Sequence, residues 1–134
     1  MELFIGGYGQ NKLKRSILKE DLMNGKGVAD GYCASMQDIL QCKVINHFHL
    51  FVKRNLSYFA SEENQEAFAL MLLTENPHVI LIGDEIGCGI VPIQKEEREY
   101  REIYGRIMCL LAKKAQKVTR IVCGICQVIK DEGK

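Results

Sequence analysis

Apolar residues along this chain follow two rhythms, and the rhythms alternate. Residues 2–5 form a short apolar run that stops at Gly6-Gly7, which predicts a first strand followed by a tight loop. From residue 12 to 23, Leu13, Ile17, Leu18 and Leu22 recur at helical spacing among Lys12, Lys14, Arg15, Lys19 and Glu20. That pattern predicts an amphipathic helix, closed by Asn24-Gly25 because glycine accepts the left-handed cap conformation. Residues 25–31 hold Gly25, Gly27 and Gly31 and read as a loop, and residues 34–41 read as a short helix. The segment 43–56 is open between two readings. Val44, Ile45, Phe48, Phe51, Val52 and Leu56 fit a helical period, whereas the β-branched pair Val44-Ile45 fits a short strand with a helix starting near Phe48.

The second half of the pattern is sharper. Ser61 is a good N-cap, and Glu62, Glu63 and Glu66 suit the positive end of a helix over residues 61–75. Ala67, Phe68, Leu70, Met71, Leu72 and Leu73 give it a broad apolar face, and Asn76-Pro77 stops it. Val79 to Ile82 are four unbroken apolar residues ending at Gly83, the signature of a strand buried on both faces. Asp84-Glu85 follow, then Gly87-Cys88-Gly89-Ile90-Val91-Pro92. Residues 94–117 carry Tyr100, Ile103, Tyr104, Ile107, Leu110 and Leu111 on one face, with glutamates at the start and lysines at the end, and predict the longest helix. Gly105 inside it costs about 1 kcal/mol relative to alanine, so it marks close packing. Residues 121–129 predict a last strand, interrupted by Gly124.

Alternation of this kind argues for a mostly parallel sheet with helices on its faces, an α/β fold. The chain's 134 residues suit a single domain, 1–134, large enough to bury its own core. Eighteen basic residues against 17 acidic give no electrostatic case for a nucleic-acid or membrane-surface partner. No apolar run approaches the length of a membrane span, and the first residues lack the pattern of an export signal, so the expected compartment is the cytoplasm. Six cysteines in that setting read as reduced thiols, most of them small core residues.

Four groups carry candidate chemistry. Carboxylates at the end of a buried parallel strand lie where open α/β sheets bind ligands, so Asp84 and Glu85 are candidates for a Mg²⁺-side or general-base role; the alternative is a cap at a strand end. Gly6-Gly7-Tyr8-Gly9-Gln10-Asn11-Lys12 stands between a strand and a helix in the register of a phosphate-binding loop. Asn11 replaces the second glycine, and Leu13 the hydroxyl that ligates Mg²⁺; the alternative is an ordinary βα turn. Arg98, Arg101 and Arg106 suit phosphate recognition or a salt-bridged helix face. His47, His49 and the Cys123–Cys126 pair read more simply as satisfied structural groups than as metal ligands, since no second cysteine pair completes a zinc site.

The stretch Asp84-Glu85-Ile86-Gly87-Cys88-Gly89-Ile90-Val91-Pro92, continued by Arg98-Glu99-Tyr100-Arg101-Glu102 and Gly105-Arg106, resembles the adenosylcobinamide kinase/adenosylcobinamide-phosphate guanylyltransferase family. Phe4-Ile5-Gly6-Gly7 through Lys12 lines up with that family's phosphate loop, and residues 44–51 look like a diverged form of its second strand and turn. The resemblance implies a P-loop NTPase-like three-layer fold and a homotrimer. It implies binding of GTP or ATP with Mg²⁺, phosphorylation of a cobinamide-type corrinoid, and guanylyl transfer through a histidine. In that reading Gly6, Gly7, Tyr8, Gly9, Gln10, Asn11 and Lys12 hold phosphates, Arg98 and Arg101 approach them, and Glu85 with Asp84 acts towards Mg²⁺ or the acceptor hydroxyl, beside catalytic Lys12. The chain departs from the family between its first helix and Val44, where residues 25–43 contain no histidine to accept GMP. A relative that keeps the fold and binds nucleotide or corrinoid without catalysis is the alternative.

Overall fold

The structure is a computed structural model that describes residues 1–7, 27–86 and 94–132. The predicted helix over 12–23, most of the glycine loop (Tyr8 to Lys12), and Gly87 to Pro92 with Cys88 lie outside the described residues. Strands β1 (Glu2–Gly6), β2 (Val28–Asp30), β3 (Val44–Asn46), β4 (Ile80–Asp84), β5 (Lys117–Val122) and β6 (Ile125–Asp131) form one sheet in the order β2-β3-β4-β1-β5-β6. The first five are parallel, and β6 runs antiparallel to β5. The mostly parallel α/β architecture expected from the alternating pattern is what the chain forms.

β1 sits in the middle. Its register pairs Ile5 with Gly83 on one side and Arg120 on the other, and Gly6 with Asp84 and Ile121. Leu3 and Leu81 face the main core with Val118, while Phe4, Ile82, Val44 and Ile121 form a smaller cluster on the opposite face. That split is the period-2 alternation of a strand covered on both sides. The described helices α1 (Met36–Gln41), α2 (Phe48–Arg54), α3 (Leu56–Phe59), α4 (Glu62–Glu75) and α5 (Lys95–Lys114) contribute to the main core. Phe48, Phe51, Phe59 and Phe68 stack and cross at its centre with ring centroids 5.1 to 6.2 Å apart, in the offset and edge-on arrangements that aromatic pairs prefer.

Local chemistry sets the boundaries. α1 begins with a capping box, Ser35 accepting from the Asp38 N–H and Asp38 from the Ser35 N–H. Ser61 caps α4 as expected. Asn76 ends α4 and ties it to α1, its Nδ2 donating to the Ile39 and Cys42 carbonyls at 3.0 and 2.7 Å.

Four expectations are corrected and one open reading is resolved. Residues 28–30 are a strand, not a loop; three residues between glycines are too few to show a period. The 43–56 ambiguity resolves as strand, then α2, then the separate short α3. Residues 121–129 are two strands of a hairpin, turned at Cys123 (φ 51°) and Gly124 (φ 75°), and the paired positive φ values are those of a two-residue type I′ turn. Cys123 and Cys126 are therefore exposed at a hairpin end, and Cys33 and Cys109 are exposed as well, so the thiols are not mainly core. Gly105 has nothing near its missing side chain and lies exposed, so close packing is not its reason.

Candidate functional site

The carboxyl ends of the central strands bring the sequence-predicted carboxylates beside the glycines. Asp84 is paired in register with Gly6, and the Glu85 N–H donates to the Gly6 carbonyl at 2.8 Å, so the β1–β4 ladder runs right up to the site. Gly6 is needed there: a Cβ would come within 2.6 Å of the Ile121 carbonyl oxygen on β5. Gly6 and Gly7 thus lie next to Asp84 and Glu85 as the loop reading requires, while Tyr8, Gly9, Gln10, Asn11 and Lys12 are outside the described residues.

Each carboxylate has a holder. His49, in the first turn of α2 and 8% exposed, accepts the Asp84 N–H at Nδ1 (3.2 Å) and points Nε2 at Asp84 Oδ2 (3.5 Å). Because Nδ1 accepts, the proton of the neutral ring sits on Nε2, facing the carboxylate. The Tyr100 hydroxyl donates to the His49 carbonyl at 2.9 Å and anchors this turn to α5. On the other side Arg120 of β5 holds Glu85. Nη2 donates to Oε2 at 3.2 Å, and Nε lies 2.8 Å from Oε1, an ion-pair distance without hydrogen-bond alignment.

An open cleft of about 380 Å³ adjoins these groups, lined by Asp84, Glu85, Arg101 and Tyr104 with apolar Ile5, Ile86 and Met108. Burial, then the neighbouring Tyr100, Asp84 and Glu85, pushes the Tyr104 phenol well above its usual range; Tyr100 is shifted the same way by burial, then Glu97 and Asp84. Both phenols therefore stay protonated donors at any physiological pH. Gly83 faces Tyr104 directly: a Cβ there would collide with the Tyr104 hydroxyl.

Arg101 reaches the cleft, whereas Arg98 sits exposed near the start of α5. Arg106 pairs with Glu102 one turn away, the solvated-face arrangement weighed for it. Arg101 and Arg106 also border a larger groove of about 1030 Å³ between α4 and α5, whose opposite wall carries Glu62, Glu63 and Glu66. His47 pairs with Asp30, its Nδ1 3.1 Å from both carboxylate oxygens. It holds a left-handed backbone (φ 52°) before α2. No group of three or more His, Cys, Asp or Glu with metal-site geometry occurs among the described residues.

Sequence reasoning missed Arg120 and the hydroxyl of Tyr104. Arg120 had a readable signal, since it alternates with Val118 and so falls on the strand face that packs against the core. A charge in that place needs a partner. Tyr104 was read as one more apolar position of the long helix, which accounts for its ring but not for its oxygen.

A family model described as "Cobinamide kinase / cobinamide phosphate guanyltransferase" matches residues 30–129 of the chain, more than half of it. Two curated proteins, each named "Bifunctional adenosylcobalamin biosynthesis protein CobU", from Escherichia coli (strain K12) and Salmonella typhimurium (strain LT2), are 42% identical over 52 residues. Those matches cover 39% of this chain and 29% of each relative. No helix among the described residues is long and apolar enough to cross a membrane.

Proposed function

The chain belongs to the cobinamide kinase/cobinamide phosphate guanyltransferase family, and from that premise we propose that it binds a purine nucleoside triphosphate and transfers a phosphoryl group to a hydroxyl of a cobinamide-type corrinoid in the cytoplasm. One observation carries the reading. Asp84 and Glu85 stand at the end of a central parallel strand, each held by a second residue, beside the glycines that end β1 and over an open cleft. Ligands of open α/β sheets bind at that end of the strands.

Two adjacent carboxylates, with no third ligand grouped with them among the described residues, fit the magnesium sites of phosphoryl-transfer proteins, which complete their shell with water and substrate phosphates. Glu85 and Asp84 would hold the ion, which when bound would offset negative charge on the phosphates. The protein's own residues do the rest. In this reading Gly6 to Asn11 would supply backbone N–H groups, and Lys12 a cation, to phosphates. Arg101, at the cleft, and Arg98 supply further positive charge. His49 positions the Asp84 carboxylate, and Arg120 orients Glu85. Loss of the acceptor proton to this pair completes the transfer. Guanylyl transfer is not part of the proposal, because residues 25–43 hold no histidine.

Glu85→Gln tests the assignment. Phosphoryl transfer to cobinamide should fall by two or more orders of magnitude while nucleotide affinity changes little. Unchanged turnover would remove Glu85 from the chemistry. A second reading, a homotrimeric nucleotide- or corrinoid-binding relative without catalysis, is favoured by Asn11 and Leu13 in the phosphate loop and by the engagement of Glu85 with Arg120. Calorimetric titration with GTP, ATP and cobinamide, with and without Mg²⁺, separates the two when paired with a turnover assay. Binding without turnover selects the second reading, and no binding of any ligand defeats both.

A further inference from the structure

Tyr104 carries a buried hydroxyl for which no described residue supplies an acceptor. The residue is 4% exposed, and its Oη has no hydrogen-bond partner among the described residues. The ring is fixed on α5 between Tyr100 and His49, with ring centroids 6.1 and 6.4 Å away. Glycine at position 83 leaves the space that the hydroxyl fills, and the side chain lines the cleft shared with Asp84 and Glu85. A buried donor without an acceptor costs stability, whereas phenylalanine would fill the same space at no such cost. A hydroxyl kept under those conditions at the edge of a ligand cleft is one whose acceptor arrives with the ligand.

The lining says which ligand oxygen that is. The paired carboxylates accept a proton from a neutral donor, and Arg101 is the single cation among the described lining residues. Ile5, Ile86 and Met108 offer apolar surface for an alkyl chain. An alcohol on an aliphatic arm fits both features. Its oxygen accepts from Tyr104, and its proton faces the carboxylates. We propose that Tyr104 is the residue that recognises and orients the acceptor alcohol, by donating its phenolic proton to the alcohol oxygen. This rests on the phosphoryl-transfer reading above. In the step itself the alcohol oxygen bonds to the terminal phosphorus and the bond from that phosphorus to the diphosphate oxygen breaks. The alcohol proton passes to the Asp84–Glu85 pair, and the nucleoside diphosphate leaves as the anion. The Tyr104 proton stays on Tyr104 throughout, so Tyr104 sets geometry and selectivity.

The test compares wild type with Tyr104→Phe in calorimetric titrations against cobinamide and against an analogue whose hydroxyl is replaced by hydrogen. Wild type should prefer cobinamide by about tenfold, the scale of one well-placed hydrogen bond. Tyr104→Phe should bind both ligands alike, with GTP and ATP affinities unchanged and a melting temperature equal to or above that of wild type. A variant that keeps the tenfold preference overturns the proposal and leaves the kinase reading intact. So does a variant that loses stability and nucleotide binding together, which marks the hydroxyl as structural. Should the variant fail to fold, the wild-type comparison decides alone, since equal affinity for the two ligands overturns the proposal. Folded wild type that binds nucleotide but neither corrinoid fails the functional reading itself, and the assignment of Tyr104 falls with it.

Discussion

Gly83→Ala is the most direct probe of how β4 and α5 fit together. Gly83 has an ordinary backbone conformation, so alanine is not excluded by φ. The new methyl group would overlap the Tyr104 hydroxyl, while the ring carbon bearing that hydroxyl stays at 3.5 Å, an ordinary contact. Tyr104 is packed on α5 in the buried core and has little room to yield. Overpacking of this kind costs about 1–3 kcal/mol. Removing the oxygen instead leaves space for the methyl group, and alanine then gains a few tenths to about 1 kcal/mol by restricting the unfolded chain. Gly83→Ala should therefore cost about 1–3 kcal/mol in wild type and be neutral or stabilising by up to about 1 kcal/mol in Tyr104→Phe, a coupling of about 1–4 kcal/mol. Urea denaturation of the four proteins measures it, read from the midpoints at a common slope. Equal losses in both backgrounds, or no loss in either, would refute the contact on which the argument depends.

Two further outcomes follow from the same structure. The Tyr104 phenol is raised by folding from its ordinary value of 10.0, so the native state keeps that proton after the unfolded chain has lost it. Its contribution is complete below about pH 10 and is lost as pH rises beyond that. Above it, wild type should lose about 1.4 kcal/mol per pH unit more than Tyr104→Phe, measured by urea midpoints across the alkaline range. At the hairpin, Cys123 holds a left-handed backbone that asparagine tolerates better than cysteine. Cys123→Asn should raise stability by about 0.5–1 kcal/mol in thermal or urea melts, and a loss would contradict the turn assignment.

How much was legible depended on whether a residue's role is local. The caps at Ser61 and Asn76-Pro77, the buried run into Gly83 and the polarity of the long helix are written within one element, and they were read correctly. So was the position of Asp84 and Glu85 at a strand end, because a strand announces its own terminus. The three-residue β2 carries too few positions for a period, and it exists because β3 pairs with it. The hairpin was hidden because Ile121 to Ile129 is apolar apart from Gly124 and Gln127, and its turn is marked by one glycine and a cysteine rather than by asparagine-glycine. Which carboxylates His49 and Arg120 hold was illegible for another reason, although the strand position of Arg120 signals that it needs a partner. Each acts on a residue 35 positions away in the chain, and no spacing rule reaches across a sheet.

The central place of β1 has a consequence for how the chain reaches this structure. β1 pairs with β4, Glu2 against Ile80, and with β5, Glu2 against Lys117. On a ribosome β1 precedes the other described strands but meets no sheet partner among them until β4 emerges, and it is flanked on both sides only after β5. At roughly 5–20 residues per second that wait is on the order of ten seconds. During it Leu3, Phe4 and Ile5 have no neighbouring strand to cover their backbone edges. By contrast β2 and β3 pair across a short connection, and β5 and β6 across two residues. Local pairs of this kind close quickly, whereas distant ones are slow. The sheet should thus assemble from its two margins inward, with the strand bearing the site's glycines fixed last.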